Sequence, residues 1–444
     1  MTTFAEATQA TTGLRDFQRD TVDWVFSRLY TDADRTRRFL IADEVGLGKT
    51  LVAKGIIARA VERLRAERER AGVVYVCSNG AIAQQNIRRL ALAGDNVSCV
   101  ASRLTLLARD VHNLRGNDVN FVSFTPSTTF DLGDSLGRVD ERALLHQLLS
   151  GEGELKRSGL RNLLQGNVGK ENWDDLLLTD VAVDEHIASR FLQSVRDTLW
   201  DTLTDACLQF GRIRDSWPEE LRARRNAITG DLRSALARAS LSELDPDLII
   251  LDEFQRFKDL LHGESEAAQL AAELFQQPRA RVLLLSATPY KMLTLWHDEA
   301  DDHYSDFIET LRFLFNGDAA PLERVRRLLD NFRRLLLGAS AASREEIGEV
   351  RDELRRLLLQ VMVRTERVGM TTALDAMLTE RCAPLVPSEG DLSGAVAVDS
   401  VAQDLRAGDT VEYWKSSPYP LTYLSNYELR RKLDSRTDRP DLEL

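Results

Sequence analysis

Phe39-Leu40-Ile41-Ala42-Asp43-Glu44-Val45-Gly46-Leu47-Gly48-Lys49-Thr50 is the stretch whose reading decides the fold. Its four leading apolar residues predict a short buried strand. The glycines that follow let the backbone turn tightly and aim its N–H groups inward. Val52, Ile56, Ile57, Ala60 and Leu64 then recur at helical spacing. A strand, a Gly-rich loop and a helix N-terminus together form a cradle for a triphosphate. Lys49 is placed to bridge β- and γ-phosphates, and Thr50 to ligate Mg2+. Asp43 stands where the general pattern has glycine.

Working outward, residues 14–30 predict a helix, with Phe17, Thr21, Trp24, Val25 and Leu29 at three- and four-residue steps. The loop helix is expected to start at Thr50 and end near Gly72, a plausible C-cap. Val73 to Cys77 predicts the next strand and Ala81 to Leu92 a helix. Two further strands, Val97 to Val100 and Asn120 to Phe124, flank a helix around Leu104 to Val111. Strands alternating with helices imply an α/β fold with a parallel sheet.

From about residue 131 to 244 the pattern is helical, as in Phe191, Val195, Leu199 and Leu203. Strands resume at Leu248 to Leu251 and Val282 to Leu285. About 200 residues separate Thr50 from Asp252, whereas three βα steps need roughly 100. The excess predicts a large helical insertion. The chain therefore divides into 1–130 and 245–295, the two parts of the sheet domain, with the insertion 131–244 between them. A helical extension, 296–382, follows. It includes an αα-hairpin with Leu322, Val325, Leu329, Phe332 and Leu336 on one arm and Ile347, Val350, Leu354, Leu357, Leu358 and Val361 on the other. Ser343 and Glu346 fit a capping box at the second arm. Residues 383–444 begin with a stretch short of large apolar residues and are expected to be a linker.

Two more strand ends carry chemistry. Leu248 to Leu251 delivers Asp252 and Glu253 to the crevice above the sheet, where ligands bind in such folds. Asp252 is positioned to hold Mg2+ and Glu253 to orient or deprotonate an attacking water. Ser286-Ala287-Thr288-Pro289 leaves the last strand with hydroxyls able to reach those carboxylates.

Composition is that of a folded globular protein, with 43% hydrophobic and 29% charged residues. The net charge of −12 argues against indiscriminate nucleic-acid coating but leaves room for a local basic groove. Cys77, Cys99, Cys207 and Cys382 form no CxxC pair and suggest reduced thiols. No signal peptide or membrane span is expected, so a cytoplasmic location is.

The ordered set of motifs resembles superfamily 2 helicases and translocases, most closely the Swi/Snf-like branch, over about residues 13–130 and 245–370. Asp43-Glu44-Val45-Gly46-Leu47-Gly48-Lys49-Thr50 is similar to motif I of that branch, Asp43 included. Asp252-Glu253-Phe254-Gln255 is similar to motif II, with Phe254 and Gln255 departing from the common Asp-Glu-Ala-His. Leu285 to Pro289 is similar to motif III, and Leu14-Arg15-Asp16-Phe17-Gln18 to the adenine-reading Q-motif. Ser78 to Arg88 resembles motif Ia, Ser123 to Pro126 a further strand-end loop, and Leu359 to Arg367 the segment that closes the first lobe.

The resemblance implies a RecA-like lobe using ATP and Mg2+. Lys49, Asp252 and Glu253 are the implied catalytic set. Phe17, Gln18 and residues Asp43, Glu44, Val45, Gly46, Leu47, Gly48, Lys49 and Thr50 are implied to bind ATP, with Thr50 and Asp252 on the metal. Gln255, Ser286 and Thr288 are implied in coupling, and Ser78, Gln85, Arg88 and Thr125 in facing nucleic acid, double-stranded DNA above all. It also implies a second RecA-like lobe with an arginine finger, worth about 10³–10⁵ in rate in related phosphate chemistry. No such alternation of strands and helices follows Pro289, so that lobe is expected elsewhere in a longer chain or in another protein.

Two functions remain open. One is the ATP-binding lobe of a DNA-dependent ATPase, helicase or duplex translocase, at family level in bacterial DNA repair or phage defence. The other is an interaction module that binds a partner through its helical insertion under nucleotide control, without sustained turnover.

Overall fold

A computed structural model of the 444-residue chain describes residues 11–67, 70–90, 98–101, 103–110, 119–130, 136–179, 181–212, 217–286, 303–337, 344–366, 389–405 and 432. The chain forms two compact units. The first comprises Met1–Met292 and His303–Met370, and the second Leu293–Asp302 and Thr371–Leu444.

The first unit opens with helix α1 (Asp16–Phe26), continued by a π-turn, Ser27–Thr31. Strand β1 (Arg38–Ile41) leads through the Gly-rich loop into α2 (Lys49–Glu67). Then come β2 (Ala71–Val76), α3 (Gly80–Leu90), β3 (Ser98–Ala101) and β4 (Val119–Phe124). A run of helices follows: α4 (Val139–Leu149), α5 (Arg157–Gln165), α6 (Lys170–Leu178), α7 (Glu185–Thr198), α8 (Trp200–Gln209) and α9 (Glu219–Leu244). The chain returns to the sheet with β5 (Leu248–Asp252), α10 (Glu266–Phe275) and β6 (Arg281–Leu285). It then adds α11 (His303–Leu314), α12 (Ala319–Leu337), α13 (Arg344–Leu358) and β7 (Met362–Val363).

The seven strands form one sheet in the order β3-β4-β2-β5-β6-β1-β7, and every pairing is parallel. This is the expected RecA-like α/β architecture. A parallel sheet is covered on both faces, so its strands read as continuous apolar runs. Alternate residues feed two separate cores. Phe39, Ile41, Val73, Tyr75, Ile250 and Leu283 pack with Val22, Val25, Val52, Ile56 and Ile87 of α1, α2 and α3. Leu40, Val74, Val122, Ile249 and Val282 face the other way. There they share a core with Leu144, Phe191, Leu203, Leu232 and Leu236 from the helices of 139–244, and with Leu274, Leu311 and Leu354. The helices inserted between β4 and β5 are thus built onto the second face of the sheet.

A buried polar node secures that layer. Glu141 of α4 is fully buried, accepts hydrogen bonds from Thr105 Oγ1 at 2.5 Å and Arg138 N at 2.6 Å, and pairs with Arg233 of α9 at 3.4 Å. Such a carboxylate persists because its lone pairs are met.

Three sequence expectations change. Gly72 does not cap α2; it is the second residue of β2, where its N–H donates to Asp247 Oδ2 at 2.9 Å. A Cβ there would meet the carbonyl oxygen of Asp245 at 3.6 Å, an ordinary contact, so space alone does not require glycine. Val361, which the helical spacing assigns to the second hairpin arm, lies beyond the end of that helix at Leu358 and leads directly into strand β7. Within the expected linker, the second unit holds helix α14 (Glu389–Asp404), whose two Gly, three Asp, two Ser and three Val are poor helix formers and give no sign of it in the sequence. The predicted hairpin is present as α12 and α13, joined by the Arg324–Glu353 ion pair at 2.5 Å. Ser343, the expected cap of its second arm, lies outside the described residues.

Candidate nucleotide site at the carboxyl edge of the sheet

Because all strands are parallel, their carboxyl ends share one edge, and the sequence motifs collect there. Register sets their spacing. Ile41 pairs with Leu285, and Leu285 with Asp252, so β6 lies between the loop strand and the strand bearing the acidic pair. At ~4.8 Å per strand, Asp252 stands about 10 Å across the sheet from the start of the loop. Ser286, buried at 1% exposure, donates its N–H to the carbonyl of Ile41 at 3.0 Å and locks β6 to that start.

The loop has the backbone its glycines allow. Gly46 and Gly48 have φ of 87° and 85°, which L side chains rarely adopt. A Cβ on Gly48 would lie 2.5 Å from Gln18 Nε2, so a side chain there must also displace the end of Gln18. Gln18 is buried on α1; its Oε1 accepts from Arg15 N at 3.0 Å and its Nε2 donates to the carbonyl of Leu47 at 2.8 Å. Phe17 beside it is half-buried, Val45 is exposed, and Glu44, Leu47 and Thr50 are half-buried. The helix begins at Lys49, one residue earlier than expected.

Lys49 Nζ donates to the carbonyls of Asp43 at 2.8 Å and Glu44 at 3.2 Å. Burial lowers its pKa, and the fields of Asp43, Asp252 and Glu253 oppose that shift. The ammonium therefore lies within electrostatic reach of both carboxylates of the acidic pair. Asp43 enters the site through its carbonyl. Its carboxylate is fully buried, accepts from Thr365 N at 2.8 Å through Oδ1, and leaves Oδ2 without a donor among the described residues. Burial accordingly raises the pKa of Asp43.

Asp252 and Glu253 differ sharply. Asp252 Oδ2 accepts from the Tyr75 hydroxyl and from Asn86 Nδ2 at 3.4 Å, and Asn86 Nδ2 also donates to the Tyr75 hydroxyl at 2.9 Å. Burial first, then Asp252, pushes the Tyr75 phenol far up, which keeps it a donor. Glu253 is exposed, with φ of 52° and ψ of 42°. That left-handed conformation costs an L-residue about 1–2 kcal/mol. The neighbouring Phe254 and Phe257 are both buried in the second core; they draw the following 3-10 turn inward and hold Glu253 there. Phe254, a departure from the common motif, is thus an anchor. Glu253 Oε2 pairs with Arg256 Nε at 2.9 Å. Gln255 has a buried Oε1 that meets no donor among the described residues.

The remaining candidates fall beside this edge. Ser78 and Thr125 leave the adjacent strands β2 and β4, and a Cβ on Gly80 would touch Thr125 Oγ1 at 3.4 Å, so the two loops meet. Gln85 and Arg88 are exposed on α3. Thr288 lies outside the described residues. Sequence reasoning missed Tyr75, Asn86 and Arg256. The one available signal was a tyrosine inside an otherwise aliphatic strand.

The glycine cradle, the helix N-terminus and Lys49 have the chemistry that a triphosphate needs, and Thr50 and Asp252 are oxygen donors of the kind that Mg2+ takes beside phosphates. Cys77 and Cys207 are buried free thiols. Among the described residues no helix is long and apolar enough to cross a membrane.

No family model matches the chain, and no curated protein matches it. Among solved structures it is similar to the SWI2/SNF2 ATPase core of Sulfolobus solfataricus in complex with dsDNA, at 11% identity and a TM-score of 0.31, over 95% of this chain and 58% of that one. The chain therefore spans 58% of the length of that ATPase core, and a likeness of this size decides neither family nor function.

Proposed function

We propose that this chain is the ATP-binding lobe of a nucleic-acid-directed ATPase that moves on or remodels duplex DNA in the cytoplasm. One observation carries the reading: Lys49, at the end of a positive-φ glycine loop, sits in the joint field of Asp43, Asp252 and Glu253 on one edge of a parallel sheet. In this reading the loop amides from Gly46 to Thr50 hold the phosphates. Lys49 exchanges the carbonyls of Asp43 and Glu44 for phosphate oxygens. Thr50 and Asp252 hold Mg2+, which when bound neutralises charge on the phosphates. Glu253 takes or orients the proton of the attacking water. Gln18 and Phe17 face the adenine while Gln18 also steadies the loop. Gln255 and Ser286, with Thr288, link the acidic pair to the state of the site. Ser78, Gln85, Arg88 and Thr125 meet the nucleic-acid backbone. Preference for DNA rests on the motif set, and a second lobe, in cis or from another protein, supplies the arginine finger.

The test is ATP binding by this chain and turnover by the chain together with its second lobe, with and without duplex DNA, single-stranded DNA and RNA. Lys49→Ala is expected to abolish binding, and Glu253→Gln to keep binding and lose turnover. Parental binding by Lys49→Ala overturns the reading. Binding with no turnover on any nucleic acid points instead to a nucleotide-controlled interaction module.

A further inference from the structure

Tyr75 pairs with Ile250 across β2 and β5, so its side chain shares a sheet face with Ile250 and, two residues on, Asp252. It is 1% exposed, and a phenol buried that deeply needs a partner for its O–H. The partner is Asp252 Oδ2. Asn86 closes a triangle, its amide bonding both the Tyr75 hydroxyl and the same Asp252 oxygen. Both donors thus fall on one oxygen, and no hydrogen bond to Oδ1 is seen among the described residues. A carboxylate is free to swivel about its last torsion, where the energy wells are broad. Two donors on Oδ2 remove that freedom. Asn86 belongs to α3, whose exposed side carries Gln85, Arg88 and Arg89.

We propose that Tyr75 and Asn86 are positioning residues for Asp252: they hold Oδ2 so that Oδ1 meets Mg2+, and they tie that carboxylate to α3. The proposal rests on the reading of Asp252 as a metal ligand. Changing a group that orients a ligating side chain typically costs about 10–100-fold in metal affinity. A displacement of α3 by nucleic acid would reach Asp252 through one amide, with no intervening backbone rearrangement.

The experiment is binding of a fluorescent ATP analogue to the full chain, once in EDTA and once across a Mg2+ titration. Tyr75→Phe keeps the ring in the core and removes only the donor. It is expected to bind in EDTA as the parent does and to need about tenfold more Mg2+ for the metal-dependent gain. Asn86→Ala, at a half-buried position, is expected to shift the Mg2+ requirement the same way by less. Parental Mg2+ requirements in both variants, with Asp252→Asn impaired, overturn the positioning role and leave the site intact. Equal losses with and without Mg2+ assign the pair to packing and overturn it too. If Asp252→Asn itself leaves the Mg2+ requirement unchanged, the assignment of Asp252 fails.

Discussion

Thr365 donates its backbone N–H to Oδ1 of Asp43 at 2.8 Å, bridging 322 positions of the chain. The bond extends a ladder in which Leu40, Ala42 and Glu44 donate to the carbonyls of Val361, Val363 and Thr365. The first residue of the phosphate loop is therefore also the anchor for the chain leaving the hairpin. This explains why a carboxylate stands where the general phosphate-loop pattern has glycine. It accepts the amide of Thr365, while its carbonyl accepts from Lys49. In the proposed reading, nucleotide and the segment after β7 would thereby act on one residue.

Asp43→Asn should alter the pH dependence of stability. Burial raises the folded pKa of Asp43 above its ordinary 3.8, so the folded chain holds this proton more tightly than the unfolded chain. The stabilisation is complete below the unfolded pKa and is lost as pH rises through the folded one. An asparagine keeps an oxygen for Thr365 and does not titrate. The melting temperature of the variant minus that of the parent is expected to rise with pH above about 4 and then level off. Thermal melts across a pH series measure it, and a difference that is flat or falls with pH refutes the account.

Gly48→Ala should destabilise the loop by about 1–2 kcal/mol through its positive φ alone. The contact with Gln18 Nε2 adds to that. Gln18→Ala in the same chain relieves the contact but not the backbone strain, so the double variant should recover only part of the loss. Denaturant titration of the four proteins gives the coupling. A Gly48→Ala protein as stable as the parent would show that the loop adopts another conformation.

Arg28 offers a test of how the edge strand is held. It is buried in the π-turn after α1, bonds Asp32 at 3.0 Å and Asp34 at 2.7 Å, and donates from Nε to the carbonyl of Gln360 at 3.2 Å. Arg28→Ala removes that fork and is expected to cost about 2 kcal/mol, less than a fully buried pair because Asp34 is exposed. Arg28→Lys should not restore it, since a point charge cannot replace the fork. Amide exchange should show faster opening of residues 40–44 along β1. Unchanged exchange there, with Arg28→Ala folded, would mean that β7 is held by other contacts.

Strands β1, β2, β4, β5 and β6 were legible because each is largely buried and announces itself as a mostly apolar run. The glycine loop and the acidic strand end were legible because each is local in sequence. Strand β7 was not, since Met362-Val363 is a strand only by virtue of the open edge of β1. Tyr75 and Asn86 were not either, because their partner Asp252 lies 177 and 166 positions away. Phe254 looked like a defect in the motif, and its role as an anchor depends on a core assembled from distant helices. The left-handed turn at Glu253 follows from that anchoring and has no local sequence mark.

Arg256 is the last residue whose role is open to a direct measurement. Its pairing with Glu253 is between exposed side chains, at 63% and 47% exposure, so it contributes under about 1 kcal/mol to stability. In the proposed reading its effect on Glu253 is larger than its effect on the fold, because the guanidinium occupies Oε2, one of the two oxygens through which that carboxylate would meet the attacking water. Arg256→Ala is therefore expected to melt with the parent and to raise basal ATP turnover several-fold in the presence of the second lobe. The gain should shrink at high salt, where the ion pair in the parent is already screened. Turnover that falls in Arg256→Ala would place Arg256 among the groups that assist hydrolysis, and the restraint of Glu253 would be excluded.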